Sequence, residues 1–224
     1  MSYLEKSKKA WEVASGFPVN KEDVYPEHKI VQQFDEIHGK RIYEYGCGNG
    51  SDVRSYLKRG NHVTATDIVP HNIETAKKFT LQAGYTEDQF NFILLEDSYP
   101  LPLDDNQFDI ATSHGVLHHV IEPKPVIEEI HRILKPDGLF YCMLYSGVME
   151  DYFNELGMID GFMRQYGVSY NEAFGYCTDG VSTPYSRSYN PTQACELICP
   201  IGFELIDHTY WLNDHFVSYK FKRV

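Results

Sequence analysis

Residues 41–50 read Arg-Ile-Tyr-Glu-Tyr-Gly-Cys-Gly-Asn-Gly, and the rest of the chain is organised around this stretch. It begins as a short apolar strand, carries an acid at Glu44, and then places glycine at the alternate positions 46, 48 and 50. Glycine has no Cβ and adopts positive φ at little cost, so a ligand can approach this backbone closely. A helical pattern begins near Ser51. A strand that runs through a glycine loop into a helix N-terminus indicates a site for a nucleotide-like cofactor.

Strand and helix patterns alternate after this loop. The predicted helices cover 51–59, 72–83 and 125–134, and the predicted strands cover 41–45, 62–66, 90–95, 108–113 and 139–145. Such alternation predicts an α/β fold with a parallel, doubly wound, Rossmann-like sheet. Two further predicted strands, 203–211 and 215–222, flank Leu212-Asn-Asp and indicate a closing antiparallel hairpin.

The first part of the chain precedes this alternation. Residues 1–38 predict short helical pieces broken at Gly16, Pro18 and Pro26. We expect them to form an N-terminal helical cap over the site, ahead of a main domain at 39–224. A helix packed on the edge of the sheet is an equally good interpretation of the same pattern.

A second segment interrupts the alternation near the end. Residues 146–190 are rich in Tyr, Gly, Met and Phe, and a weak helical period gives way to a loop that contains Gly175. Segments of this length between regular elements often form lids or binding loops. We therefore expect a lid or binding insertion at about 146–190.

Composition narrows the classes of partner and compartment. The 224 residues carry a formal net charge of −12, which disfavours binding to nucleic acid because like charges repel. No apolar run approaches the roughly 20 residues that a membrane-spanning helix needs, so we expect no membrane partner. The five cysteines are odd in number and contain no Cys-x-x-Cys pair, so we expect reduced thiols in a cytoplasmic protein.

The spacing of the glycines bears on which cofactor binds. The dinucleotide fingerprint is Gly-x-Gly-x-x-Gly, and its third glycine would fall at Ser51 in this chain. Asp67 ends the second predicted strand, where a carboxylate can accept both hydroxyls of a ribose. Because a nicotinamide dinucleotide needs the same acid, Asp67 alone does not decide between cofactors.

The later motifs give the chain a family resemblance. Five segments of the chain form an ordered set of motifs with characteristic spacing. They are Glu-Tyr-Gly-Cys-Gly-Asn-Gly (44–50), Thr-Asp-Ile (66–68), Glu-Asp-Ser (96–98), Phe-Asp-Ile (108–110) and Leu-Lys-Pro-Asp-Gly-Leu (134–139). Together they resemble the class I S-adenosylmethionine-dependent methyltransferases, in particular the small-molecule branch. The resemblance implies a seven-stranded sheet, S-adenosylmethionine as cofactor with S-adenosylhomocysteine as product, and transfer of a methyl group to O, N or C of a small organic acceptor.

The resemblance also implies roles for the residues that match the first two motifs. The backbone of Gly46, Cys47 and Gly48 would run under the methionine part of the cofactor. Glu44 would fix this loop or meet the cofactor's amino group through water. Asp67 would hold the ribose hydroxyls.

The remaining cofactor contacts follow from the other motifs by the same resemblance. Ile68 would lie against the adenine face. Asp97 would accept a hydrogen bond from the adenine amino group, and the backbone of Ser98 would donate one to a ring nitrogen. Ser113 or His114, at the end of the fourth predicted strand, would pass near the methionine amino group and the sulfonium.

Three histidines, His114, His118 and His119, follow the fourth predicted strand and are the candidate catalytic residues. Methyl transfer needs alignment first, and it needs a base only where the acceptor keeps its proton. A histidine can serve as that base because its pKa lies near neutrality. A structural histidine bonded to backbone is the second interpretation. A metal pair is the third, and with no third ligand apparent nearby we expect no metal site.

The insertion at 146–190 would then shape the acceptor pocket. Its candidate acceptor-binding residues combine aromatic or apolar walls with polar groups, and they are Tyr145, Met149, Phe162, Tyr185 and Arg187. We expect a small-molecule acceptor and a monomer or homodimer. Two rival functions stay open: a cyclase or isomerase that uses the same cofactor-binding fold without methyl transfer, and a non-catalytic scaffold subunit.

Overall fold

The computed structural model of the chain describes residues 2–14, 21–181 and 183–224, and a seven-stranded sheet runs through them. The strands are β1 Arg41–Tyr45, β2 His62–Asp67, β3 Phe90–Leu94, β4 Phe108–His114, β5 Leu134–Tyr145, β6 Phe203–Trp211 and β7 Phe216–Arg223. Their order is β3-β2-β1-β4-β5-β7-β6, and only the pairings of β7 with β5 and β6 are antiparallel. The predicted Rossmann-like sheet with a closing hairpin is therefore confirmed.

Helices precede, connect and cover these strands. They are α1 Tyr3–Ala14, α2 Lys21–Val24, α3 Pro26–Val31, α4 Ser51–Leu57, α5 Pro70–Gln82, α6 Pro123–Ile133, α7 Gly147–Glu155, α8 Met158–Tyr166, α9 Tyr170–Asp179 and α10 Pro191–Ile198. The breaks predicted at Gly16 and Pro18 lie outside the described residues. No helix within the described ranges is both long enough and apolar enough to cross a bilayer.

Two apolar cores lie on opposite faces of the sheet, because successive side chains along a strand point in opposite directions. Ile42 belongs to one core and its neighbour Tyr43 belongs to the other. Val53 and Tyr56 of α4 share the core of Ile42, whereas Ile127 of α6 shares the core of Tyr43. Helices therefore cover both faces, and binding residues are left to the loops at the sheet's ends.

The strand order reverses between β1 and β4, and this reversal positions the candidate site. In open α/β sheets, ligands bind beyond the carboxyl ends of the strands at such a switch point. The loops that follow β1, β2 and β4 leave the sheet at this same end. The glycine loop of residues 46–50 is one of them.

Helix α9 replaces part of the loop predicted around Gly175, so that expectation is wrong. The hydroxyl of Ser169 accepts a hydrogen bond from the Glu172 backbone N–H, and the Glu172 carboxylate accepts one from the Ser169 N–H in return. This reciprocal cap favours a helix start and outweighs one interior glycine. A Cβ at Gly175 would lie 3.1 Å from Cγ2 of Thr183, so the glycine serves the close approach of the returning chain.

Two smaller predictions also need correction. Strand β5 begins at Leu134 rather than at residue 139, because Leu134 pairs with Phe108 before the ladder shifts register. The expectation that all five cysteines are free thiols is wrong for one pair, since Cys195 and Cys199 form a disulfide. Their spacing of four residues at the end of α10 brings the two Cα atoms to 5.0 Å, within the range that a disulfide requires.

Candidate functional site

A cavity of about 300 Å³ lies at the switch point between β1 and β4. Several parts of the chain contribute walls to it, among them the glycine loop, the end of β2, the segments after β3 and β4, and helix α1. Cavities of this size that combine apolar walls with a few polar groups are typical of small-molecule sites. The part of the chain with the strongest sequence signal therefore faces the cavity.

The glycine loop uses its glycines for two different purposes. Gly46 has a φ of +77°, and a Cβ there would lie only 2.4 Å from Cγ2 of Val116. Gly48 has a φ of +52°, and a Cβ there would meet nothing within 4 Å. Since Gly46, Cys47 and Gly48 all line the cavity, the first glycine permits close packing and Gly48 leaves the backbone open to a ligand.

Asp67 holds the glycine loop and also faces the cavity. Its carboxylate accepts hydrogen bonds from the backbone N–H groups of Gly48 and Val69, both at 2.9 Å, and from the Asn72 side chain at 3.2 Å. Burial raises the pKa of the Asp67 carboxyl, and the backbone donors oppose that rise. Gly48 donates to Oδ2, whereas Val69 and Asn72 donate to Oδ1, so Oδ2 retains acceptor capacity, and Asp67 lines the cavity.

Glu44 lies in β1, just before the loop, and does not line the cavity. Its side chain is buried, and its Oε2 has no hydrogen-bond partner among the described residues. Burial first, and then the charge of Asp52, raise the pKa of the Glu44 carboxyl well above its usual value. The role expected for Glu44, fixing the loop or meeting the cofactor's amino group through water, stays a prediction.

Of the other predicted cofactor residues, two line the cavity and two do not. Ile68 and Ser98 line the cavity. Asp97 is exposed beside the cavity and its carboxylate accepts from the Ser98 N–H at 2.6 Å, while Ser113 is buried behind the wall. Asn72 lines the cavity and was missed by sequence reasoning, although a polar side chain in the first turn after β2 could have indicated it.

The three candidate histidines occupy different places. His114 and His119 line the cavity, whereas His118 is fully buried outside it. The Nδ1 of His114 lies 2.8 Å from Oδ2 of Asp52, and burial lowers the pKa of His114 to about 4. The ring of His118 stacks on Tyr145 with centroids 3.7 Å apart. The structure brings two of the three to the cavity.

His119 is held by the segment that follows α9. Its Nδ1 lies 2.9 Å from the carbonyl oxygen of Tyr185 and 3.0 Å from the hydroxyl of Ser186. Because a carbonyl only accepts, Nδ1 carries the hydrogen and Nε2 is left as the proton-accepting nitrogen. That Nε2 lies 3.7 Å from a carboxylate oxygen of Asp179. Burial lowers the pKa of His119, and Asp179 opposes this effect.

His118 should make the fold sensitive to acid. Burial, and then the neighbouring His119, hold the pKa of His118 well below 6.5. Below that pH the unfolded chain binds a proton at this ring and the folded chain does not, so the free energy of unfolding falls by up to about 1.4 kcal/mol per pH unit. Urea unfolding of a His118→Phe variant, which keeps a ring on Tyr145, should show a shallower decline between about pH 7 and pH 5. The same slope in the variant and the unmodified chain would contradict this assignment.

Helix α1 closes one side of the cavity. Its lining residues are Tyr3, Leu4, Ser7 and Trp11. The hydroxyl of Tyr3 donates to the backbone oxygen of His119, and the Trp11 ring lies 4.6 Å from the His119 ring. Lys8 adds a hydrogen bond to the carbonyl of Glu96 at 2.9 Å. The cap role and the division of the chain at residue 38 stay predictions, and these contacts are their physical basis.

The predicted acceptor-binding residues do not line this cavity. Tyr145 is buried against His118, and its hydroxyl donates to Asp179 at 2.9 Å. Met149 and Phe162 pack into an apolar cluster within the insertion. Arg187 lies over the ring of Tyr185 and donates to its hydroxyl. The assignment of these five residues to acceptor binding stays a prediction.

Comparison with known proteins shows which proteins this chain is similar to. The model of a family described as a methyltransferase domain matches residues 43–142. The ubiquinone biosynthesis O-methyltransferase of Pasteurella multocida is 28% identical over 147 residues, which cover 62% of this chain and 60% of that protein. The chain spans between 42% and 60% of the length of the curated relatives that it matches.

Solved structures agree on the fold. An S-adenosylmethionine-dependent methyltransferase from Mesorhizobium loti has a TM-score of 0.68 at 17% identity, covering 90% of this chain and 99% of its own. The 1,6-didemethyltoxoflavin-N1-methyltransferase of Burkholderia thailandensis, solved with 1,6-didemethyltoxoflavin and S-adenosylhomocysteine, has a TM-score of 0.61 at 18% identity, covering 89% and 77%. Residues 43–142 are thus similar to a methyltransferase domain, and the seven-stranded sheet has the fold of these S-adenosylmethionine-dependent methyltransferase structures.

Proposed function

We propose that this chain transfers a methyl group from S-adenosylmethionine to a nucleophilic O, N or C atom of a small organic acceptor. The observation that carries the proposal is a single cavity with two different halves. One half is formed by the glycine loop, Asp67 and Ile68, and the other by α1 and His119. A transferase needs a cofactor and an acceptor side by side in such a space.

The residues of the first half fit the cofactor. The open backbone at Gly48 accommodates a closely approaching ligand, and the buried carboxylate of Asp67 suits a pair of ribose hydroxyls. Ile68 and Ser98 would contact the adenine. When bound, S-adenosylmethionine supplies an electrophilic methyl group on its sulfonium. The Burkholderia thailandensis neighbour, solved with S-adenosylhomocysteine, supports the same use of this fold.

The residues of the second half would bind and orient the acceptor. Apolar side chains of Leu4, Trp11, Val116 and Val120 line it and would exclude water from the reacting atoms. His119 is the histidine best placed to take a proton, since its Nδ1 is held by a carbonyl and its Nε2 remains an acceptor. The nearby Asp179 carboxylate would then stabilise the charged ring.

An oxygen nucleophile is the first acceptor class to test. The curated relatives carry the name ubiquinone biosynthesis O-methyltransferase, and a hydroxyl that keeps its proton at neutral pH is the acceptor that needs a base. The aromatic and aliphatic walls favour a ring that carries such a hydroxyl.

Release of S-adenosylhomocysteine over a panel of phenols, amines, carboxylates and thiols tests the proposed function. We expect turnover with at least one class, with phenols first. Binding of the cofactor without any release of S-adenosylhomocysteine would favour a cyclase or isomerase. Absence of binding to either cofactor form would favour a non-catalytic scaffold.

A matched pair of histidine variants tests the base. His119→Gln should lower kcat about 100-fold or more for an acceptor with a protonated hydroxyl, because a positioned base contributes a factor of that order. His118→Gln should destabilise the fold and keep kcat per folded molecule, since His118 does not line the cavity. Equal kcat in His119→Gln and the unmodified chain at all pH values would remove His119 as the base.

A further inference from the structure

Three buried side chains from three separate elements converge behind the cavity wall. His28 lies in α3, Asp52 in the first turn of α4 and His114 at the end of β4. The Nε2 of His28 is 3.1 Å from Oδ1 of Asp52, and the Nδ1 of His114 is 2.8 Å from Oδ2. One ligand atom from each residue lies within 4.8 Å of the other two.

Burial distinguishes this cluster from a surface group. Relative exposure is 1% for His28, 1% for Asp52 and 4% for His114, so water does not compete for the three ligand atoms. Two imidazole nitrogens and one carboxylate oxygen form the donor set that suits zinc and neighbouring divalent metals. Tetrahedral bonds of about 2.0–2.2 Å separate neighbouring ligand atoms by about 3.3–3.6 Å. The two N···O separations of 3.1 Å and 2.8 Å, which involve different oxygens of Asp52, would have to open by about 0.2–0.8 Å, and the three ligand atoms already lie within 4.8 Å of one another.

We propose that His28, Asp52 and His114 bind one divalent transition-metal ion of the zinc type. The ion would join α3 to α4 and to the end of β4, and so tie the N-terminal segment to the sheet. Because His114 lines the cavity, the ion would lie one side chain behind the site. Sequence reasoning found no third ligand near His114, since Asp52 and His28 are 62 and 86 residues away along the chain.

The surroundings of the cluster are compatible with a cation. Lys21 approaches Oδ2 of Asp52 at 3.6 Å, and its side chain is 43% exposed, so it can turn to solvent when an ion binds. Glu44 interacts with Asp52 from the glycine-loop side and adds negative charge if it ionises. Without a metal, the two rings would each donate N–H to Asp52. With a metal, both nitrogens must instead present lone pairs to the ion.

Titration of the chelator-treated, tag-free chain with Zn²⁺ and Co²⁺ tests the site. We expect one ion per chain, visible d–d absorption from Co²⁺ in a low-symmetry site, and a higher thermal midpoint with either metal because binding favours the folded state. His28→Gln, Asp52→Asn and His114→Gln should each weaken binding about 100-fold or more, since even outer partners of metal ligands contribute up to that factor. His62→Gln, at an exposed position at the start of β2, should bind like the unmodified chain.

Two outcomes would overturn the site. The first is an unmodified chain that is folded by circular dichroism and binds less than one ion at micromolar metal. The second is stoichiometric binding that all three variants retain, which would mean adventitious ions held elsewhere. If a variant does not fold, stoichiometry and Co²⁺ absorption of the unmodified chain decide the question, with the His62→Gln chain as reference.

Discussion

Replacing Asp67 by alanine should weaken binding of S-adenosylhomocysteine about 10- to 150-fold, which corresponds to roughly 1–3 kcal/mol. The variant loses the acceptor proposed for the ribose hydroxyls. It also removes the acceptor of the Gly48 and Val69 N–H groups, so the glycine loop loses the group that holds it. Affinity measured by calorimetric titration, with circular dichroism to confirm the fold, gives the result.

Two comparison variants sharpen this prediction. Asp67→Asn keeps the size and one acceptor oxygen, so its affinity should fall between those of Asp67→Ala and the unmodified chain. Asp88→Ala removes an exposed carboxylate just before β3 and should leave affinity unchanged. If Asp67→Ala binds as tightly as Asp88→Ala, Asp67 does not belong to the binding site.

Gly46→Ala should cost about 2–5 kcal/mol of the free energy of unfolding. A left-handed backbone at an alanine costs about 1–2 kcal/mol, and forcing extra atoms into a packed region costs about 1–3 kcal/mol more. Both apply here, because φ is +77° and the new Cβ would lie 2.4 Å from a methyl group of Val116. Urea unfolding of the purified variant measures the loss.

Gly48→Ala is the matched control for this loop. Its φ of +52° carries a similar backbone cost, but its Cβ would meet nothing within 4 Å, so the loss of stability should be only about 1–2 kcal/mol. Adding Val116→Ala to Gly46→Ala should relieve the overlap, and the double variant should lose less stability than the two single losses summed. Equal losses in Gly46→Ala and Gly48→Ala would contradict the packing role of Gly46.

Local patterns in the sequence predicted the sheet well. Strand β3 is a compact, mostly apolar run, and the helices begin and end at recognisable signals, as α5 does at Pro70. The closing hairpin was also predictable, because Asn213 and Asp214 between two strand patterns tolerate the positive φ that a tight connection demands, and both adopt it. These features depend on neighbours in the chain, which a sequence displays directly.

The walls of the cavity were less predictable because they depend on distant contacts. Nothing local in Tyr3 or Trp11 indicates that they meet His119 more than one hundred residues later. The aromatic insertion has the composition of a binding wall, yet Tyr145 is buried against His118 and Asp179. His118 and His119 are adjacent in the Leu-His-His run, yet His119 lines the cavity and His118 is buried outside it. This difference depends on tertiary packing alone.

The glycine loop contacts two other parts of the chain. Gly46 packs against Val116 of the segment after β4, while Gly48 is bonded to Asp67 at the end of β2. The loop therefore connects the two strand ends that flank the switch point. A substitution of Asp67 or Val116 should therefore alter the conformation of the glycine loop as well as the substituted site.

Calorimetric titration of the unmodified chain with S-adenosylmethionine and S-adenosylhomocysteine tests the central claim most directly. The claim is that the cavity under the glycine loop holds this cofactor. We predict saturable binding of both compounds at one site per chain, and competition between them. Absence of saturable binding by either compound at millimolar concentration, with the chain folded, would contradict it.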